Sequence, residues 1–350
     1  MTGSYGADET SVELATGLRE FFNEHCGLDR VRAAWSDGSL DLALWGEVAA
    51  LGFTGALASE EVGGLGVQPE DLVLAIEEIG YSGASLPLVD TAAVVVPIIE
   101  RYGSAEQRAS FLPGLISGER IAASTVMFGG DRAMFAAEAD VLLLERDDCL
   151  HLLDRRQFST VEVHSPDPAS RLARVSVESS VLSDATRLAA GATDDARGRA
   201  VWAASALLNG VSRRMLEMTV DHAKTREQFG RAIGSFQAVK HLIADAWVAM
   251  ESSRPCAWYA AHACSQGLAD AAAAASVAKA SASDAARVVG DSALQVHGGI
   301  GFTWEHPLHF WMKRGKLLEH AYGSRGFHLR SLGAAMRDDQ QGSDAVFPGL

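Results

Sequence analysis

The chain has 350 residues, with 30 basic and 45 acidic side chains, and a net charge of −15 at pH 7. At this length about three quarters of the unfolded surface is buried on folding, and 48% hydrophobic residues supply the core, so a disordered or fibrous chain is excluded. The charge argues against wholesale nucleic-acid binding, because the chain repels phosphate unless a local basic patch overrides it, but a few arginines can still hold a small anion.

In chain order, Glu9–Glu24 has helical apolar spacing, and Leu40–Leu51 repeats it before a stop at Gly52. The glycine-rich stretch Glu60 to Gly66 reads as a turn, and Pro69–Ile79 as a helix with its proline in the first turn. Leu86-Pro87 breaks the chain. Asp90 then caps an apolar helix that reaches Tyr102 and stops at Gly103, with Pro97 expected to kink or shorten it. Ser104 to Gln107 has the cap chemistry of another short helix. From about Ile121 the period changes. Ala139–Leu144, Leu150–Leu153 and Ala173–Val177 read as short strands between polar turns, in a β-rich segment that ends near Asp184. Helices return as Arg199–Lys224, Phe236–Ser253, Ala271–Val289 and Pro307–His320. The order is helical, then β, then helical, so the fold class is α+β and mainly α.

Cys26, Cys149, Cys256 and Cys264 are widely spaced and form no CxxC, which points to four reduced thiols and neither a zinc site nor a disulfide framework. The opening residues are polar and acidic, with no signal peptide, and the apolar run Ala92–Ile99 is far too short for a bilayer. These features predict a cytoplasmic protein with no membrane contact. His306 and His309 are spaced i,i+3 without a third ligand motif, so they read as polar helix positions and no metal is expected.

Two stretches carry more. One is Thr225-Arg226-Glu227-Gln228-Phe229-Gly230, continued by Gly234 to His241. The other is Gln295-Val296-His297-Gly298-Gly299-Ile300-Gly301-Phe302-Thr303-Trp304-Glu305. Both closely resemble the signatures of the acyl-CoA dehydrogenase family, at that family's separation. Trp45, Leu51-Gly52, Glu60 to Gly66, Glu77 to Gly80 and Leu112 to Glu119 agree with it, so the resemblance covers roughly residues 10–335. It implies an N-terminal helical domain (1–120), a shortened middle β domain (121–190), a C-terminal four-helix domain (191–335) and a flexible tail (336–350). It also implies FAD held across a subunit interface, an acyl-CoA substrate, a tetramer, and an electron-transfer flavoprotein as acceptor. Arg226 can place a bidentate guanidinium on a pyrophosphate, against the plainer reading of a surface ion pair with Glu227 or Asp221. Phe229 and Gln237 would border the same groove. Gln295 with Gly298-Gly299 would let backbone amides approach an ADP moiety, against the plainer reading of a helix C-cap and turn.

The family reaction takes an α-proton with a carboxylate and a β-hydride with the flavin. The resemblance places that carboxylate at Tyr322, in front of Gly323, or in a second subgroup at Ala200. Neither residue is a base, since a tyrosine with a pKa near 10 would first have to ionise. The substrate-side arginine falls at Val201, with Arg199 or Arg197 within a short slip. Glu319 is the remaining candidate, and its plainer role is an i,i+3 pair with Lys316. The family's Thr-Glu-Pro…Gly-Ser-Asp loop is reduced to Ser124-Thr125 and Gly129-Gly130-Asp131. The ADP side is therefore kept while the flavin-ring and substrate side is eroded. Short subunits of heterotetrameric (α2β2) actinobacterial members of the family look like this, partnering a homologue that carries the glutamate and acting on bulky thioesters such as steroid side chains. Three alternatives stay open: a self-sufficient homotetramer using Glu319, a flavin enzyme of different chemistry, and a protein that has lost FAD.

Overall fold

The computed structural model describes residues 8–342 except 37, 38, 127 and 129. The N-terminal part is helical: α1 (Glu9–His25), α2 (Leu28–Ser36), α3 (Leu42–Ala50) and α4 (Pro69–Ser82). The Asp8 carboxylate accepts from the Ser11 N–H at 2.9 Å and caps α1, and Pro69 opens α4. The Leu40–Leu51 expectation corresponds to α3, which ends before Gly52 in the left-handed region (φ 80°).

The segment after Pro87 departs from expectation. Asp90 caps no helix, and Pro97 stands at the start of an α-helix shortened to Val96–Tyr102. Val89–Val95 form a π-helical segment that runs directly into α5 (Val96–Tyr102), with the Val96 N–H donating to the Thr91 carbonyl five residues back. Pro97 lacks an N–H, and in an α-helix its ring would crowd the carbonyl four residues earlier. The wider turns take up that conflict. They also carry Asp90 into the interior. Helix α6 (Ala105–Ile116) starts on the Ser104–Gln107 capping box read from the sequence, with the Gln107 N–H donating to Ser104 Oγ at 3.1 Å.

The middle of the chain forms β1 (Ala122–Ser124), β2 (Arg132–Met134), β3 (Val141–Arg146), β4 (Cys149–Asp154), β5 (Ser159–Glu162) and β6 (Leu172–Ser176). They make two three-stranded sheets, ordered β1-β3-β4 and β2-β6-β5. β1 runs parallel to β3, and the other pairs in these sheets are antiparallel. Leu142, Leu144, Leu153, Phe158 and Val175 pack into a small core of their own.

The C-terminal part comprises α7 (Ala192–Thr225), a hairpin of β7 (Glu227–Gln228) and β8 (Arg231–Ala232), then α8 (Gln237–Ser265), α9 (Ala271–His297) and α10 (Leu308–His320). A further helix, α11 (Arg325–Gly342), enters residues 336–342, where the sequence suggested a tail. His328 on its first turns is buried and lies 3.2 Å from Ser276 of α9, which anchors α11 to the bundle. The remainder of that tail, 343–350, lies outside the described residues.

Helices α4 and α7 cross almost in backbone contact. A Cβ on Gly80 would meet the Val211 nitrogen at 3.1 Å, and one on Gly210 would meet the Tyr81 nitrogen at 2.9 Å, with the Leu207 and Glu77 carbonyl oxygens closer still. Beside this crossing, two carboxylates are buried with arginines. Glu78 accepts from Arg19 and Arg213, each at 2.6 Å, and Glu77 from Arg254 at 2.9–3.2 Å. Burial works against the charge on Glu78, but the two arginines win and hold its carboxyl below the usual range. No described helix is long and apolar enough to cross a membrane.

Candidate functional site

Two arms at one end of the bundle carry the residues singled out for the ADP side. On the first, Arg226 follows the last turn of α7, its N–H donating to the His222 carbonyl at 2.8 Å. Its guanidinium is exposed, and among the described residues no carboxylate lies within 4 Å of it. Asp221 pairs instead with Lys224 at 3.8 Å. The β7–β8 hairpin turns on Phe229 (φ 54°) and Gly230 (φ 75°), both left-handed, as a two-residue turn requires. An aromatic residue in that region is an outlier, and Phe229 is 92% exposed at its tip. Gln237, also exposed, is the first residue of α8.

On the second arm, Gln295 is exposed in the last turn of α9. Gly298 (φ 62°) ends that helix, and a Cβ built on Gly298 or Gly299 would meet nothing within 4 Å. The space before both glycines is open, as a backbone that receives a ligand requires. Phe302 and Trp304 follow, 75% and 69% exposed.

Three imidazoles tie the arms together. His222 of α7 stacks on His297 of α9 with ring centroids 4.5 Å apart, and His306, just before α10, meets His297 edge-on at 4.5 Å and His222 at 6.4 Å. An exposed guanidinium, two amide side chains, open glycines and bare aromatic rings on one end fit the ADP half of a dinucleotide.

The base side fits differently. Tyr322 (φ 57°) and Gly323 (φ 87°) form the link between α10 and α11. Tyr322 is 1% exposed, its hydroxyl donates to Asp90 Oδ1 at 3.0 Å, and Phe128 meets its ring edge-on at 5.4 Å. Burial pushes the Asp90 carboxyl up to about 7, with Tyr322 and the Ser124 backbone pulling it back. The Tyr322 phenol is raised well above its usual value by burial and by Asp90. Lys279 of α9 is fully buried. It donates to the Gly323 carbonyl at 3.0 Å and to the Glu319 carbonyl at 3.4 Å, and burial lowers it to about 7. His328 stands 2.9 Å from the Tyr322 carbonyl, so both neighbours pin the same turn.

Ala200 is buried in the core of α7, as is Val201. Arg199 pairs with Asp195 at 2.8 Å, and Arg197 with Glu145 at 2.5 Å and Asp148 at 2.9 Å. Glu319 pairs with Lys316 at 3.0 Å. Thr125, Phe128 and Gly130 of the reduced loop line an open cleft of about 750 Å³, whose other wall carries Glu145, Asp147 and Asp148 (Gly129 lies outside the described residues). Arg146 and Arg197 share that wall, and Arg197 is the partner of both Glu145 and Asp148.

Sequence reading missed Asp90, Lys279, His328 and the histidine stack. The available signal for the first two is a lone charge inside an otherwise apolar or alanine-rich helix. Asp90 gives a pH prediction. Its carboxyl is raised in the fold, so the folded state holds a proton that the unfolded chain has lost, and stability falls as pH rises from about 4 through about 7. Asp90→Asn is expected to melt higher than the parent at pH 8 and equally at pH 4. Melting curves at both pH values check this; parallel pH profiles would reject it.

Two family models match the chain: acyl-CoA dehydrogenase, N-terminal domain, over residues 8–119, and acyl-CoA dehydrogenase, C-terminal domain, over residues 196–337. The acyl-CoA dehydrogenase IpdE2 of Mycobacterium tuberculosis is 32% identical over 295 residues, covering 83% of this chain and 86% of that protein. A solved structure described as the Tcur3481-Tcur3483 steroid ACAD G363A variant superposes with a TM-score of 0.86 at 28% identity, over 97% of this chain and 100% of that one. The ChsE4-ChsE5 complex from Mycobacterium tuberculosis has the same fold, with a TM-score of 0.86 at 22% identity over 96% and 99% of the two chains.

Proposed function

The chain belongs to the acyl-CoA dehydrogenase family, whose members are oxidoreductases acting on CH–CH bonds, and on that premise we propose that it is one subunit of a heteromeric acyl-CoA dehydrogenase. It supplies the ADP side of an FAD site to a homologous subunit that carries the catalytic carboxylate. The observation that carries this reading is the asymmetry of the chain. Arg226, Phe229, Gln237 and Gln295 stand exposed on one end, while the base position is filled by Tyr322, buried against Asp90. FAD, when bound, takes up the β-hydride of an acyl-CoA thioester. This chain's part is to bind: Arg226 holds the pyrophosphate, Gln295 and Gly298-Gly299 receive the adenosine end, and Phe229 and Gln237 border the groove.

The relatives described as a steroid acyl-CoA dehydrogenase and as a two-component complex favour a bulky thioester substrate and a heterotetramer. An electron-transfer flavoprotein is the expected acceptor and the cytoplasm the expected location. The test is co-production with a homologue that carries a glutamate at the position matching Tyr322, followed by native mass spectrometry with a count of FAD. A heterotetramer with one FAD per pair of chains supports the reading, and a homotetramer with one FAD per chain overturns it. Within the heterotetramer, Arg226→Ala removes a charge-assisted contact of about 1.5–3 kcal/mol, so FAD affinity is expected to fall about 10- to 100-fold with thermal stability unchanged. Titration of the apo-assembly with FAD measures it.

A further inference from the structure

The three stacked histidines lie where the two arms meet. His222 is in the last turn of α7, before Arg226. His297 ends α9, between Gln295 and Gly298. His306 precedes α10. We propose that His222, His297 and His306 are positioning residues that clamp the two arms of the cofactor half-site while all three imidazoles are neutral, and release them on protonation. The assignment rests on the half-site reading above for its consequence, but not for its geometry.

Hydrogen bonding fixes two of the three tautomers. His297 Nδ1 lies 2.7 Å from the Ala293 carbonyl, which only accepts, so Nδ1 carries the hydrogen. Its Nε2 is buried without a hydrogen-bond partner. His306 Nδ1 receives the Leu308 N–H at 3.2 Å, so it is a bare lone pair and Nε2 carries the hydrogen. His306 therefore caps the first residue of α10.

Each proton added to this stack meets a cost. On His306 Nδ1 it breaks the bond to Leu308 and places a cation at the positive end of the α10 dipole. On His297 Nε2 it places a charge in a buried position. Two charged rings at 4.5 Å repel each other. The charged groups around the stack do not relieve this. Arg226, just after α7, faces His222. His309 of α10 faces His306, and Lys313 of α10 and Arg32 of α2 face His309 in turn. Nearby acids are engaged or solvated: Asp221 pairs with Lys224, Asp291 of α9 with Arg287, and Glu305 is fully exposed. Among the described residues no carboxylate lies within 4 Å of these imidazoles, and no group of three His, Cys, Asp or Glu is arranged to hold a metal ion. The C-terminal dipoles of α7 and α9 favour cationic His222 and His297, yet both are lowered: His222 by burial, His297 and Arg226, and His297 by burial against the pull of the Ala293 carbonyl. His306 is lowered furthest, to about 4, by burial and by the other histidines. Groups lowered in the fold stabilise it above their unfolded value of 6.5, and that contribution is lost as pH falls toward 4.

The experiment is hydrogen–deuterium exchange on the assembled protein at pH 7.5 and 5.0, corrected for intrinsic rates, with FAD affinity measured in parallel. The clamp predicts that amides 298–302 and 308–311 lose about tenfold protection at pH 5.0 while the α4–α7 crossing keeps its own, and that FAD affinity falls about tenfold with them. His306→Asn keeps an oxygen that accepts from Leu308 but does not titrate, so it is expected to flatten both profiles. Should that variant not fold, His222→Gln supplies the same comparison. Equal protection at the two pH values, or the same pH dependence in variant and parent, overturns the clamp. An assembly that binds no FAD at any pH rejects the half-site reading, and the exchange profile still decides the clamp.

Discussion

Arg254→Ala is expected to destabilise the chain by about 3–5 kcal/mol, among the largest effects of any single side-chain truncation. Glu77 is 1% exposed, and Arg254 meets it with two nitrogens, Nη2 at 2.9 Å and Nε at 3.0 Å from Oε2. Burial already raises the Glu77 carboxyl, and Arg254 is what holds it back. Truncation leaves a buried carboxylate that must either stay charged in a poor solvent or take up a proton at neutral pH, and both are costly. Urea unfolding followed by circular dichroism measures the loss as a lowered midpoint. Removing both charges is a different experiment. Glu77→Leu with Arg254→Met keeps the volume and removes the desolvation cost, so the double variant is expected to recover most of what the single variant loses. A double variant no more stable than Arg254→Ala would reject the uncompensated Glu77 charge as the source of the loss.

Gly210→Ala is the second. Alanine is the better helix former by about 1 kcal/mol, so an exposed substitution in α7 would stabilise. Here the added methyl would sit against the Glu77 carbonyl and 2.9 Å from the Tyr81 nitrogen, both backbone atoms of α4. No rotamer change relieves a clash with backbone, so the two helices must move apart. The buried ion pairs beside the crossing then lose their geometry as well. The net cost is expected at the upper end of overpacking, about 3 kcal/mol. Gly80→Ala, facing Leu207 across the same crossing, should behave alike, while Gly17→Ala, with nothing within 4 Å, should be neutral or slightly stabilising. Thermal melts of the three variants separate these outcomes. Similar melting for Gly17→Ala and Gly210→Ala would refute the close crossing.

Much of the helical frame is legible in the sequence because its signals are local. Asp8, Ser104 and Pro69 mark helix starts with their own chemistry, and the apolar spacing that follows names the buried face. Helix ends are less legible. Helix α8 continues through Pro255 to Ser265, and α9 runs on to His297, because tertiary burial decides where an alanine-rich helix stops. Strands β1, β2 and β5 hold three or four residues and show no alternation to read. Helix α2 is short and rich in arginine, with Val31 as its buried residue. At the site, Arg226, Gln295 and the glycine pair are visible because they sit in compact motifs. The Asp90–Tyr322 pair is invisible because it joins residues 232 positions apart, and because a π-helical segment turns Asp90 inward where an ordinary cap would have left it at the surface. The histidine stack needs three separate chain segments to meet, which no spacing rule encodes.

Phe229, Phe302 and Trp304, bare at one end of the molecule, bear on how the chain fares in a cell. Wet aromatic surface is what chaperones and quality-control proteases bind, and it drives self-association when concentration rises. A copy made without a counterpart to cover this end would be held, cleared or precipitated, while a covered copy would persist. On the half-site reading its abundance would then track the supply of the other subunit more closely than its own rate of synthesis. The two coding sequences would gain from matched output, and overproduction of this one alone would raise turnover and inclusion bodies before it raised the amount of usable protein.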